Sequence, residues 1–150
     1  MKTYSEALDI VLNSATSGSA EEVDFMESVG RVLAKDVISD INMPPFNKSA
    51  MDGYACRRAD LEQALDVLET IAAGAHPSKK IGAGQCSRIM TGAPVPQGAD
   101  CVIKVEETEQ LENGKVRFTG TSTKPNIAIL GEDIKQGDVV EGDVILKESL

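Results

Sequence analysis

From Pro44 onward, glycine and proline divide the chain into short segments, and this division constrains the fold more than any other feature. The segment DVLETIAAG alternates apolar and polar residues before glycine ends it, a pattern typical of a β-strand. QCSRIM and DCVIKVEETEQL are further predicted strands. Asn113-Gly114 lies between two extended segments, which is a strong signal for a β-hairpin. We therefore expect this part of the chain to be built from short strands and turns.

The first residues favour helices. Thr3 and Glu6 have capping-box spacing, and the apolar residues that follow fall on one helical face: Leu8, Val11, Leu12 and Ala15. MESVGRVLA predicts a second helix, while Val23 and Phe25 alternate with acidic residues as in a short strand. DVISDI is a further predicted strand. The fold class is therefore predicted to be mainly β with two or three short helices.

The change in pattern near Pro44 indicates a domain boundary. We expect a β-rich domain over residues 45–135, inserted into a domain formed by residues 1–44 and 136–150. Near the second boundary, a Gly-Asp-Val unit occurs at Gly137 and again at Gly142, which predicts tight turns between short strands.

Composition excludes several classes of partner. The formal net charge of −9 argues against nucleic acid, because binding a phosphate backbone requires clustered lysine and arginine. No apolar run approaches the ~20 residues of a membrane span, so no membrane partner is expected. The three cysteines are widely spaced and form no C-x-x-C pair, which favours neither a disulfide framework nor a thiolate zinc site. A reducing cytoplasm fits this pattern best.

Three loops carry the candidate functional residues, and the first is SAMDGYA. Its Asp52-Gly53 step is either a simple turn or a rigid support from which Asp52 holds Mg2+. Met51 and Tyr54 would then pack the loop or line a pocket. If Gly53 has a positive φ, replacing it with valine is expected to destabilise the loop.

The other two loops are RIMTGAPVPQGAD and ILGEDIKQGD. In the second loop, Thr91 lies either in a plain connector or where its hydroxyl and nearby backbone N–H groups hydrogen-bond an oxyanion. In the third, Glu132 and Asp133 form either a solvated turn or a second carboxylate site near a metal. If the loops converge on a dianionic oxyanion, a divalent cation must lie between the carboxylates and the anion.

Taken together and in this order, PPFNKSAMDGYA, RIMTGAPVPQGAD and NIAILGEDIKQGDVV strongly resemble the N-terminal portion of the molybdopterin molybdenumtransferase (MoeA) family, which includes the E domain of gephyrin. EEVDFMESVGRVLAKDVISDINMPPF resembles the preceding family segment, so the resemblance covers essentially the whole chain. It implies an elongated fold of bifurcated, coiled β-sheets with an inserted β-rich subdomain.

The resemblance also implies an activity, a transferase reaction of molybdenum cofactor biosynthesis. The family inserts molybdate into the dithiolene of adenylylated molybdopterin, releases AMP and uses Mg2+. Its members are homodimers in which N-terminal loops of one subunit approach the catalytic domain of the other. Molybdopterin adenylyltransferase is a possible transient partner.

Residue roles follow by the same resemblance. Asp52, Thr91 and Asp133 match positions that the family uses at its catalytic cleft, with Asp52 and Asp133 as metal contacts and Thr91 as a hydrogen-bonding hydroxyl. The predicted cofactor-binding residues surround them in the three loops: Ser49, Met51, Gly53, Tyr54, Gly92 and Glu132.

The chain departs from the family pattern at two places in these motifs. The family usually has Asp-Asn where this chain has Asn47 and Lys48, and arginine where it has Ala128. Loss of that arginine removes a fork-shaped cation suited to oxyanions. Either Lys48 supplies part of the missing charge, or molybdate is handled differently.

The chain also lacks a segment resembling the family's pterin-binding α/β domain and its C-terminal β domain. The expectation is therefore the N-terminal part of a larger enzyme, inactive when isolated. Two alternatives stay open: a non-enzymatic dimerisation or scaffolding module of the gephyrin type, and a small β module that binds an unrelated ligand.

Overall fold

The computed structural model describes residues 2–16 and 18–140. By Cα proximity the chain divides into two compact units, one containing the N-terminal residues up to Val37 and the other spanning Ile38–Val139. The predicted domains, 1–44 with 136–150 and 45–135, stay a prediction. No helix in the described ranges combines the length and apolar character that crossing a membrane requires.

The first unit contains the α-helix α1, Tyr4–Ser14. Its capping box is formed as predicted: the Glu6 amide donates to the Thr3 hydroxyl oxygen, and the Glu6 carboxylate accepts from the Thr3 amide. The predicted second helix is wrong. A 3-10 turn covers Phe25–Glu27, and Gly30 has a φ of 84°, which is incompatible with continuing a right-handed helix. The strand predicted at Val23 and Phe25 does not form either, because Phe25 begins the 3-10 turn.

The remaining secondary structure is mainly β, as predicted. The strands of the described residues, in chain order, are β1 Val37–Ile38, β2 Lys48–Ser49, β3 Gly53–Cys56, β4 Asp66–Ile71, β5 Gln85–Ile89, β6 Cys101–Lys104, β7 Thr108–Gln110, β8 Val116–Phe118, β9 Ile127–Ala128 and β10 Val139–Val140. Further 3-10 turns cover Arg58–Asp60 and Val105–Glu107.

The largest sheet in the described ranges has four strands in the order β4-β5-β3-β6. Strand β3 is antiparallel to both of its neighbours, and β4 is parallel to β5. The remaining strands form two-stranded sheets, β1 with β10, β2 with β9, and β7 with β8. The β7–β8 hairpin confirms the prediction from Asn113-Gly114, and Gly114 has the positive φ, 79°, that a tight turn requires. Gly137 also has a positive φ, 91°, while the second Gly-Asp-Val unit, at Gly142, lies outside the described residues.

Both faces of the four-stranded sheet pack against buried side chains. One face packs a cluster of buried side chains: Tyr54, Cys56, Leu65, Cys86, Cys101, Ile103 and Val116. The opposite face packs a second cluster: Ala55, Ile71, Ile89, Ala93 and Val102. The three cysteines are free thiols, and Cys56 stands opposite both Cys86 and Cys101 in the strand register.

Gly53 is required by close packing and not by a positive φ, which corrects the reason given from the sequence. It begins β3, and a Cβ atom added there would lie 1.9 Å from the carbonyl oxygen of Ile103 on β6. No real Cβ atom tolerates that distance, so any side chain at this position separates β3 from β6.

Replacing Gly53 with alanine is therefore expected to lower the free energy of unfolding by about 1–3 kcal/mol, a typical cost of overpacking. Denaturant unfolding of the whole chain measures the change. Gly18→Ala is the control, because a Cβ atom at Gly18 meets nothing within 4 Å. Equal unfolding free energies for the two variants would contradict the packing argument.

Substituting two buried serines is expected to change the free energy of unfolding in different ways. The Ser87 hydroxyl on β5 is fully buried and has no hydrogen-bond partner in the part of the chain that the structure describes, whereas the buried Ser49 hydroxyl donates to the Met51 carbonyl at 2.6 Å. Ser87→Ala should leave the unfolding free energy unchanged or raise it by up to about 1 kcal/mol, and Ser49→Ala should lower it by about 1 kcal/mol. Thermal and urea unfolding test both, and a larger loss for Ser87→Ala than for Ser49→Ala would contradict the assignment.

Candidate functional site

The site begins at the bend that leads into the central strand β3. The backbone bends over residues 50–52, and the Asp52 carbonyl accepts from the Val105 amide at 3.1 Å. The next residue, Gly53, is fixed in the sheet between β5 and β6. Asp52 is therefore held at the end of a strand that is paired on both sides, and its side chain is exposed.

A single carboxylate oxygen joins two of the three predicted loops. Asp52 Oδ1 accepts from the Thr91 amide at 2.7 Å and from the Thr91 hydroxyl at 2.8 Å. Thr91 follows β5 in a turn that Gly92 completes with a φ of 82°. The Gly92 amide in turn donates to the Ser49 carbonyl at 2.8 Å. Residues 39 positions apart in the chain are thus brought into direct contact.

These two hydrogen bonds stabilise the charged form of the Asp52 carboxyl group. Donation from the Thr91 backbone, and next from its hydroxyl, lowers the pKa of Asp52 below its ordinary value of 3.8, and Arg88 makes a smaller contribution of the same sign. Asp52 is therefore a carboxylate at neutral pH. The Thr91 hydroxyl donates its single hydrogen bond to Asp52, so Thr91 can offer another group only its oxygen lone pairs.

Asp52 and Thr91 lie on the wall of an open cavity of about 440 Å3. The other lining residues are Met51, Lys104, Glu106 and Glu107. A neighbouring cavity of about 400 Å3 shares Met51, Lys104 and Glu107 and continues to Lys124 and Asn126. The first cavity therefore has an excess of carboxylates, while the second has an excess of lysine.

The third predicted loop does not share this cavity. Asp133 is exposed, and its amide donates to the Met43 carbonyl at 3.0 Å. The Glu132 carboxylate accepts from the Ile129 amide at 2.8 Å, which closes its own turn. Neither side chain contacts Asp52 or Thr91 among the hydrogen bonds of the described residues. The metal role assigned to Asp133 stays a prediction.

The remaining predicted site residues have different environments. Ser49 is buried and hydrogen-bonded within the first loop, and Met51 lines the Asp52 cavity. Tyr54, in contrast, is 1% exposed and lines another cavity together with Arg88. Sequence reasoning missed Lys104, Glu106 and Glu107, whose only signal is their position within the predicted strand DCVIKVEETEQL.

The donor set fits a magnesium ion only in a water-rich site. Asp52 Oδ2 accepts no hydrogen bond from the residues that the structure describes, and the Glu106 and Glu107 carboxylates line the same cavity. Mg2+ is commonly bound through one or two carboxylates and retains several waters. Within the described ranges, no three His, Cys, Asp or Glu side chains are grouped to hold a metal by themselves. Asp52 is thus suited to a shared, partly hydrated ion.

Two substitutions of Thr91 test the effect of its hydroxyl on Asp52. Thr91→Val removes the hydroxyl and keeps the amide, so the pKa of Asp52 should rise above its value in the unmodified chain, while Thr91→Ser should keep the lowered pKa. A carboxyl group whose pKa is lowered by folding contributes stability above its unfolded pKa, and this contribution is lost as pH falls through the folded pKa. NMR titration of the Asp52 carboxyl carbon measures the shift, and identical titration curves in both variants would contradict the contact.

Comparisons with known proteins match the family that the sequence motifs resemble. Residues 2–146 match the family model described as the MoeA N-terminal region (domain I and II). Molybdopterin molybdenumtransferase of Staphylococcus aureus (strain Mu50) is 36% identical over 149 residues, which cover 93% of this chain and 36% of that protein. The enzyme of the same name from Haemophilus influenzae is 43% identical over 124 residues, covering 80% and 30%.

A solved structure agrees with the sequence comparisons. The crystal structure of the molybdopterin biosynthesis moeA protein from Pyrococcus horikoshii OT3 superposes with a TM-score of 0.82 at 32% identity, covering 97% of this chain and 41% of that one. The chain therefore spans about a third of the length of the curated relatives it matches. With the match extending over nearly all of its residues, the chain belongs to the MoeA family and corresponds to the family's N-terminal region.

Proposed function

We propose that this chain is the N-terminal part of a molybdopterin molybdenumtransferase, an enzyme that inserts molybdate into adenylylated molybdopterin during molybdenum cofactor biosynthesis. The single observation that carries the proposal is the contact between Asp52 and Thr91. It joins the SAMDGY and MTGAPVP loops, two of the motifs on which the family resemblance rests, at the wall of an open cavity. The matched relatives are named molybdopterin molybdenumtransferase, and this name supports the proposed reaction.

In this proposal Thr91 orients the Asp52 carboxylate, and that carboxylate contacts the bound metal ion. The two hydrogen bonds to Oδ1 orient the carboxylate and lower its pKa, and they leave Oδ2 available to a partner other than Thr91. Mg2+, when bound there, would supply the positive charge that lets a carboxylate and an oxyanion share one site. Asp133 is proposed as a further metal contact contributed from its own loop, and Glu132 and Gly92 as residues that shape these loops.

The site lies on an open surface, which favours completion by another domain or subunit. A catalytic site needs groups held on rigid supports and protected from water. Strand β3 supplies the support, but the Asp52 and Thr91 side chains are exposed. We propose that the chain functions in a homodimer, with the catalytic domain of the partner covering this cavity, and with molybdopterin adenylyltransferase as a transient donor of substrate. The three free thiols are consistent with a cytoplasmic setting.

The departures from the family pattern at Lys48 and Ala128 are adjacent in space. The two residues stand directly opposite each other in the β2–β9 ladder. Side chains of directly opposed strand residues lie close together on one face of the sheet. Lys48 is therefore placed to supply a positive charge where the family arginine would start, although an ammonium lacks the fork geometry of a guanidinium.

A chimera tests the proposed activity. This chain replaces the matching N-terminal region of the S. aureus relative, and molybdenum insertion is measured with adenylylated molybdopterin, molybdate and Mg2+. Asp52→Asn should reduce the rate about tenfold to hundredfold and Thr91→Val about tenfold, the usual scale for residues that hold or orient a metal contact. Asp40→Asn is the matched control, because Asp40 is exposed and makes no hydrogen bond in the described part of the chain.

Two results would contradict the proposal. Equal activity of the Asp52→Asn and Asp40→Asn chimeras would remove Asp52 from the mechanism. A folded, dimeric chimera without molybdenum insertion would favour the scaffolding alternative, and Ala128→Arg would then show whether the missing guanidinium is responsible.

A further inference from the structure

A separate, smaller cavity lies between the four-stranded sheet and the β7–β8 hairpin. This cavity has a volume of about 190 Å3 and is lined on its polar side by Tyr54, Arg88, Gln110 and Lys115. Aliphatic residues of the hairpin and of β4 complete its wall. Asp52 and Thr91 line a different cavity, so the two spaces are distinct.

The Tyr54 hydroxyl has an unused proton in this cavity. Tyr54 is 1% exposed, and its oxygen accepts from Arg88 Nη1 at 3.1 Å and from Gln110 Nε2 at 3.1 Å. A phenolic hydroxyl also donates one hydrogen bond. With the Gln110 amide in this orientation, no described residue accepts that proton. That proton is therefore available to an acceptor that enters the cavity.

The cavity is also positively charged in a chain whose net charge is −9. The Arg88 guanidinium carbon lies 5.6 Å from the centre of the Tyr54 ring, and among the described residues Arg88 forms no ion pair. Only one of its five N–H groups is used by Tyr54. Lys115 is paired with Asp66 at 3.0 Å, but no carboxylate lines the cavity itself.

We propose that this cavity binds a small oxyanion of the size of sulfate, phosphate or molybdate. Arg88 supplies a charged N–H donor, and Tyr54 supplies an O–H donor whose proton no residue of the described ranges accepts. Tyr54 and Arg88 are opposite each other in the β3–β5 ladder, so both donors are held by the central sheet. The proposal is independent of the function proposed for Asp52.

The test is NMR titration of the 15N-labelled chain with sodium sulfate and, separately, sodium molybdate, at ionic strength held constant with chloride. Saturable shifts of the Arg88 Nε–H, the Gln110 amide and the Tyr54 backbone are expected. Arg88→Met should weaken binding about tenfold, the effect of losing one charge-assisted hydrogen bond. Tyr54→Phe should weaken it less, because Arg88 remains.

Two further variants separate the site from general charge effects. Arg117→Met removes an equal charge from an exposed arginine on the hairpin that faces Glu109 at 4.0 Å, and it should leave binding unchanged. Gln110→Glu places a carboxylate beside Arg88 and Tyr54 and should block the oxyanion while the fold is kept, as shown by unchanged shifts elsewhere in the sheet.

Saturation by both anions supports a general oxyanion site, and saturation by molybdate at lower concentration supports a site for that anion. Equal affinity of the Arg88→Met and Arg117→Met variants, or shifts that do not saturate at the cavity residues in the unmodified chain, would overturn the proposal.

Discussion

The pairing of strand β3 on both edges is the constraint on which the rest of the second unit depends. Gly53–Cys56 is buried along its whole length between β5 and β6. The pairing with β6 is close enough that Gly53 has no room for a side chain beside the Ile103 carbonyl. Because the strand cannot shift, the residue before it is also fixed. Asp52 therefore owes its position to the sheet, and Thr91 fixes the direction of its carboxylate.

The same strand connects two chemically different places. The residue before it presents a carboxylate to the larger cavity, and its second residue, Tyr54, presents a hydroxyl to the smaller one. Arg88 links the two electrostatically, since it hydrogen-bonds Tyr54 and also helps to lower the pKa of Asp52. The larger cavity suits a cation with retained waters, whereas the smaller cavity suits a small anion. A chain with few aromatic residues thus uses Tyr54 as a packed core residue that carries a polar group.

Local sequence signals predicted what local interactions decide. The capping box at Thr3 and Glu6 and the hairpin at Asn113-Gly114 formed as expected, because each involves residues only a few positions apart. Apolar spacing over MESVGRVLA did not produce a helix, because Gly30 adopts a positive φ there. Gly53 looked like a turn residue, yet its requirement comes from Ile103 on another strand. The partners of Asp52 and Tyr54 lie between 34 and 56 positions away, so no local pattern could reveal them.

The central claim is that the Asp52 carboxylate holds the Thr91 loop in place. Amide hydrogen exchange at Thr91 tests it most directly, because the Asp52 carboxylate is the acceptor of that N–H. The account predicts that Asp52→Ala accelerates exchange at Thr91 and leaves exchange at Tyr54 and Ala55 in β3 unchanged. Equal exchange at Thr91 in the variant and the unmodified chain would contradict the account.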